Sequence, residues 1–290
     1  MSTPPPPKRA TLLVHCADRA GIVAALSQFI YEHQGNILSL NEYGEGPEGQ
    51  FFMRLVWDRS RFTLNEEQCQ EALTALGERL QLRLRLHFSE ERSRIAIFTS
   101  REAHCLYDLL HSQELGELEG DVALVVSNHE SLRSVAEHFK LPFHVTPITR
   151  ETRSTGEEAQ QALLKDYGIN LVVLARYMQI LSPEFSKAWY GRCINIHHSF
   201  LPSFAGANPY RQAKDRGVKI IGATAHYVTE DLDEGPIIEQ NVTRVTHRDT
   251  VSDLKRKGRD MERQVLTHAV RLHLENRILI SGNKTIVFNA

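Results

Sequence analysis

The feature that most limits how this chain can fold is a change in its strand-like segments near residue 90. Before that point they alternate, as in QLRLRLHF at 81–88; beyond it they are unbroken apolar blocks, VALVV within 120–128 and LVVLA within 169–178. Alternation suits a sheet with one polar face, whereas continuous runs suit parallel strands covered on both faces. Between the two lies SEERSR at 89–94, charged and without a large apolar residue, and the linker is placed there. A length of 290 residues with 41% apolar content is enough for two cores.

Residues 11–88 read as β-α-β-β-α-β. TLLVHC opens the series, and 19–33 place Ile22, Ala25, Leu26, Phe29 and Ile30 on one helical face before Gly35 stops the helix. NILSLNEY and QFFMRLVW follow as strands, 65–79 as a helix and QLRLRLHF as the last strand. This order describes a ferredoxin-like α+β unit, four antiparallel strands with two helices on one face. GEGPEG at 44–49 formally matches G-x-G-x-x-G, yet strands flank it on both sides and Pro47 lacks an N–H, so a hairpin turn is expected rather than a nicotinamide site. Pro4 to Pro7 make residues 1–10 an extended or disordered lead-in.

From 94 to 290 strands alternate with amphipathic stretches around 104–112, 131–140 and 155–167, the grammar of an α/β domain with a parallel sheet. Ligands of such sheets bind beyond the carboxyl ends of the strands. Lysine plus arginine number 34 against 36 acids, a net charge of −2, which excludes the basic field of a nucleic-acid binder. Cys16, Cys69, Cys105 and Cys193 form no Cys-x-x-Cys pair, so neither zinc nor a disulfide framework is expected. A soluble cytoplasmic protein is expected, with no export signal and no membrane span.

The densest polar cluster is NIHHSFLPSFAGANPY at 195–210, directly after a strand-like RCIN. Spacing by two puts Asn195 and His197 on one strand face, where an amide and an imidazole converge on one atom while His198 points away. Asp233, in the acidic turn TEDLDEG, is the natural partner for His197, since a nearby carboxylate orients the ring for acid–base work. Taken singly, each of these residues reads more simply as a loop stabiliser. Ser199 lacks the G-x-S-x-G elbow of a nucleophile, and the His197–His198 pair lacks metal-ligand spacing, so no metal is expected.

Together, Asn195-Ile-His197, Ser199, Leu201-Pro202, Gly206 and Leu232-Asp233-Glu234-Gly235-Pro236-Ile237 resemble the folate-dependent formyltransferase fold, and LARYMQILSPEF at 174–185 extends the match over roughly 94–275. The resemblance implies a Rossmann-like catalytic domain with a mostly parallel sheet, catalytic roles for Asn195, His197 and Asp233, and folate contacts at Met178, Ile180, Leu181, Val228, Thr229 and Glu230. Read without it, Met178, Ile180 and Leu181 are core residues after a buried strand. Cys16-Ala-Asp18-Arg-Ala-Gly21-Ile22-Val23 resembles an ACT domain. That implies homo-oligomeric pairing and an amino-acid effector near Asp18, Gly21 and Ile22; a purely structural pairing role stands beside it.

Thr99-Ser-Arg-Glu-Ala-His104 carries no glycine-rich phosphate loop, His198 stands where transferases commonly have proline, and the ACT-plus-formyltransferase order completes a resemblance to the formyltetrahydrofolate deformylase family. This implies hydrolysis of 10-formyltetrahydrofolate to formate and tetrahydrofolate, supplying formate to one-carbon metabolism and purine biosynthesis and balancing the folate pool. Folate is then a substrate and no cofactor is tightly bound. His198 either positions water or fills the space of a proline. Formyl transfer to an amine, and a non-catalytic folate or amino-acid sensor, are the alternatives.

Overall fold

The structure, a computed structural model, describes residues 8–46, 49–149, 151–202 and 209–289. Pro4 to Pro7, Pro47 and Gly206 lie outside them. The chain divides into two units, one running to Arg92 and taking in Asn276–Leu279 and the residues from Ile286, the other Ser93–Glu275 with Ile280–Thr285.

The first unit contains β1 (Arg9–Ala17), α1 (Ile22–Glu32), β2 (Asn36–Gly44), β3 (Gln50–Asp58), α2 (Glu66–Arg79) and β4 (Arg83–Phe88). Its sheet runs β2-β3-β1-β4, antiparallel throughout, the expected ferredoxin-like order. Period-two patterning puts Leu12, Val14, Met53, Leu55 and Trp57 on one face, sealed by Leu26 and Ile30 of α1 and Leu73 of α2. Glu45 N donates to Gln50 O at 3.0 Å, so the glycine-rich segment joins a hairpin.

Three expectations change here. Arg9 and Ala10 already pair with Asp58 and Trp57, so β1 begins inside the anticipated lead-in, because Ala10 is buried in the core. α1 starts three residues later than Arg19, since Gly21 at its N-cap adopts a left-handed φ of 95°. The second domain does not run unbroken to 290: Leu279 and Phe288 belong to the first unit, where they cover Leu13 and Phe52 on the other face of its sheet.

The second unit begins with β5 (Ser93–Thr99), α3 (His104–Glu114), β6 (Gly120–Ser127), a 3-10 turn into α4 (Arg133–His138), β7 (Phe143–Val145), α5 (Arg153–Asp166) and β8 (Leu171–Ala175). It continues through α6 (Pro183–Ala188), β9 (Cys193–His197), α7 (Pro209–Arg216), β10 (Ile220–Tyr227), β11 (Ile237–Arg244) and α8 (Val251–Leu274). β12 (Ile278–Ser281) and β13 (Lys284–Val287) form a closing hairpin. The seven-stranded sheet is ordered β11-β10-β9-β8-β5-β6-β7. It is parallel from β9 to β7, with β10 and β11 antiparallel at one side.

All five residues of β8 are buried, which is what its unbroken LVVLA requires of a strand covered twice. Val172 and Leu174 pack with Phe98, Phe185 and Trp189, while α8 lies along β10 and β9 with Val265, Leu266 and Ala269 buried. Thr250 and Asp253 form a capping box that starts α8. Among the described residues no helix is long and apolar enough to cross a membrane.

Candidate active site

β8, β9 and β10 deliver Arg176, Asn195, His197 and His226 to the rim of one cavity of about 710 Å³, a size that suits a small organic ligand. Asp233 comes from the loop after β10. It adopts a left-handed φ of 58°, which a short acidic side chain tolerates. Gly235 lets that loop fold back, because a Cβ there would overlap the Tyr227 carbonyl. Tyr227 N then donates to Pro236 O at 2.9 Å.

His197 Nδ1 lies 3.1 Å from Asp233 Oδ2, and His197 Nε2 is buried without a hydrogen-bond partner among the described residues. His226 Nδ1 faces Tyr227 O at 2.9 Å, so that nitrogen carries the proton. In the neutral ring, Nε2 is left to accept from Asn195 Nδ2 at 3.2 Å. The same Nε2 stands 3.7 Å from Asp233 Oδ1. Burial opposes ionisation of Asp233, but the hydrogen bond from the His197 ring holds its carboxyl well below the usual range. The geometry places a fixed anion beside one imidazole, with an anchored amide two residues before that imidazole on the same strand.

His198 does not point away. β9 ends at His197, so strand alternation stops there, and His198 also lines the cavity with its ring centroid 5.2 Å from that of His197. Burial, with the charges of Arg176 and His197, pushes its pKa down to about 4 and keeps the ring neutral near pH 7.

The six residues assigned to folate all line this cavity. Met178 and Ile180 are 58% and 53% exposed, which overturns the core reading for both. Leu181 does pack against the core. Ser100 Oγ accepts from Met178 N at 3.1 Å, and Val228 N donates to Cys193 O at 2.9 Å, so both loops are tied to strand ends. In the first unit, Gly21 starts α1, Ile22 is buried in the core, and Asp18 N donates to Gly49 O at 2.9 Å.

The sequence reading missed His226 and a second buried centre around Glu262. Glu262 Oε2 meets His104 Nε2 at 2.7 Å, Tyr210 donates to Oε1 at 2.7 Å, and Arg176 Nε is 3.4 Å from Oε2. Burial opposes the charge, yet His104, Arg176 and Tyr210 bring the Glu262 pKa down to about 2. Ligand atoms of His104, Cys105 and Glu262 lie within 4.8 Å of one another, a spacing that could hold a cation. The chemistry disfavours one: His104 and Glu262 are bonded to each other, Arg176 supplies a positive charge, and burial pushes the Cys105 thiol up.

The formyl transferase family matches residues 93–270 and the ACT domain family residues 10–76. The chain is 52% identical to a formyltetrahydrofolate deformylase of Synechocystis sp. over 279 residues, covering 96% of this chain and 98% of that one. Identity to the Bacillus subtilis protein of the same name is 48%, covering 97% and 94%. A crystal structure of a formyltetrahydrofolate deformylase from Pseudomonas syringae pv. tomato matches with a TM-score of 0.95 at 43% identity, covering 98% of this chain and 96% of that one.

Proposed function

The chain belongs to the formyltetrahydrofolate deformylase family, and from that membership we propose that it hydrolyses 10-formyltetrahydrofolate to formate and tetrahydrofolate. The observation that carries the reading is the convergence on one cavity of Asn195 and the His197–Asp233 pair, with His197 Nε2 left without a protein partner.

In this mechanism Asp233 stays ionised, orients His197 through Nδ1–H and receives the attacking water. The water oxygen bonds to the formyl carbon, and the resulting oxyanion accepts hydrogen bonds from His197 Nε2–H and the Asn195 amide. The attacking oxygen, acidified as it bonds to carbon, passes a proton to Asp233. The C–N10 bond breaks as His197 gives N10 its Nε2 proton; Asp233 then releases its proton to solvent and His197 takes one back at Nε2, which restores both groups. His198 is neutral and beside His197, which suits it to positioning the water.

The same reading assigns folate contacts to Met178, Ile180, Leu181 and Val228 to Glu230. Folate is the substrate, with no tightly bound cofactor. The setting is cytoplasmic, and the formate enters one-carbon metabolism and purine synthesis. The ACT unit pairs with a second copy of the chain and takes an amino-acid effector near Asp18, Gly21 and Ile22.

Formate release from 10-formyltetrahydrofolate by the purified protein, without added amine, tests the activity. His197→Ala should lower it by ~100-fold or more, the usual cost of losing a transition-state donor. No formate, but formyl transfer once glycinamide ribonucleotide is supplied, would replace the hydrolase with a transferase.

A further inference from the structure

The wall of the cavity beside His198 is built from the Glu262 centre, which the hydrolysis above does not use. Glu262 is 1% exposed in the middle of α8, and its partners come from the residue after β8, from α7 and from the start of α3. The backbone is shaped around this cluster. Arg176 adopts a left-handed φ of 62°, a strained conformation for a residue with a Cβ. At Gly258 a Cβ would overlap the Tyr210 hydroxyl, so this glycine lets Tyr210 reach α8 and Glu262 one turn further on.

An amine differs from water as an acceptor in two respects that this wall addresses. Near neutral pH an amine arrives mostly as ammonium, so a site that uses one needs an acceptor to hold the cation and remove its proton before the nitrogen can attack. Glu262 is the buried carboxylate on this side, and both its oxygens are engaged, Oε1 by Tyr210 and Oε2 by His104 and Arg176. Arg176 is also a permanent cation, with Lys255 and Arg259 lining the cavity from α8, while the carboxylates Glu102, Glu230, Asp231 and Asp233 lie elsewhere on the lining. On this wall an incoming ammonium therefore meets the Arg176 cation and a Glu262 with neither oxygen free, whereas neutral water is indifferent to that charge.

We propose that the Arg176–Glu262–Tyr210–His104 cluster excludes amines from the formyl carbon and leaves water as the acceptor, with Arg176 as its specificity-determining residue. The inference rests on the hydrolase reading. With water, the C–N10 bond is replaced by a C–O bond and N10 gains a proton, giving formate. With an amine, the new bond is C–N, the amine loses a proton, N10 gains one, and the product is a formamide.

The test gives purified protein 10-formyltetrahydrofolate with rising glycinamide, measuring formate and N-formylglycinamide together. Wild type should make formate alone. Arg176→Gly suits the left-handed backbone; it should raise the ratio of N-formylglycinamide to formate by roughly tenfold or more, the discrimination one pocket contact supplies. Arg176→Gln, which keeps bulk without charge, should shift it in the same direction, and Arg176→Lys should stay with formate. Wild type that releases no formate overturns the hydrolase reading. Wild type that releases formate while Arg176→Gly and Arg176→Gln partition as it does overturns this inference alone. Loss of all turnover in both variants with folate still bound would also overturn it, by placing Arg176 in the hydrolytic step.

Discussion

Two carboxylates that line the cavity of the second unit, Asp233 and Glu262, are held in opposite ways. The Asp233 side chain is 19% exposed on a loop and lines the cavity beside His197, whose Nε2 has no partner among the described residues. The Glu262 side chain is 2% exposed on a helix, with both oxygens bound to neighbours. In both, burial opposes ionisation and the surrounding donors prevail. A depressed pKa therefore does not separate a working carboxylate from a walled-in one. What separates them is position and saturation: Asp233 and His197 stand beside Asn195 at the strand ends, whereas both Glu262 oxygens are taken up by neighbours.

That contrast makes Asp233→Asn the substitution of largest effect. Asparagine preserves size and removes the charge beside His197, so formate release should fall by ~100-fold or more while folate binding changes little. Full turnover in this variant would remove Asp233 from the mechanism.

Glu262→Gln should act the other way round, on stability more than on turnover. The folded pKa is lowered from 4.5 to about 2, so ionised Glu262 contributes its full stability above pH 4.5 and loses it as pH falls through the folded value. Urea midpoints at pH 7 should therefore favour the wild type, and the gap should narrow as pH drops from about 4.5 towards 2. A gap unchanged by pH would show that the lost stability comes from packing alone.

How far this site can be read from sequence depends on which interactions bring each residue in. Asn195 and His197 are legible because their spacing along β9 puts both at the cavity, whereas His198 lies past the last strand residue, where that periodicity ends. His226 leaves no local trace: it sits beside Asn195 because β10 pairs with β9 in that register. Glu262 does leave one. It occupies the buried stripe of Leu254, Gly258, Val265, Leu266 and Ala269 at helical spacing, and a charge on such a stripe needs partners. Met178 and Ile180 could face either core or cavity, since an apolar residue after a strand has no preference until the chain's path is known. The two strand grammars translate directly into the two sheets. The ends of the second domain do not, because the cover of Leu13 and Phe52 by Leu279 and Phe288 comes from residues more than two hundred positions away.

The smallest effect is expected in the first unit, where a polar pair of similar hydrogen-bond quality serves a helix start. Asn65 Oδ1 accepts from Gln68 N at 2.9 Å and Gln68 Oε1 accepts from Asn65 N at 3.1 Å, a capping box that satisfies backbone donors at the start of α2. Asn65→Ala removes half of it and should cost about 1 kcal/mol of stability. Asn65→Asp should keep most of that, since aspartate caps equally well and favours the positive end of the helix dipole. Neither variant should alter formate release per folded molecule. A loss of turnover in Asn65→Ala, reversed in Asn65→Asp, would mean that the integrity of α2 is read by the catalytic unit.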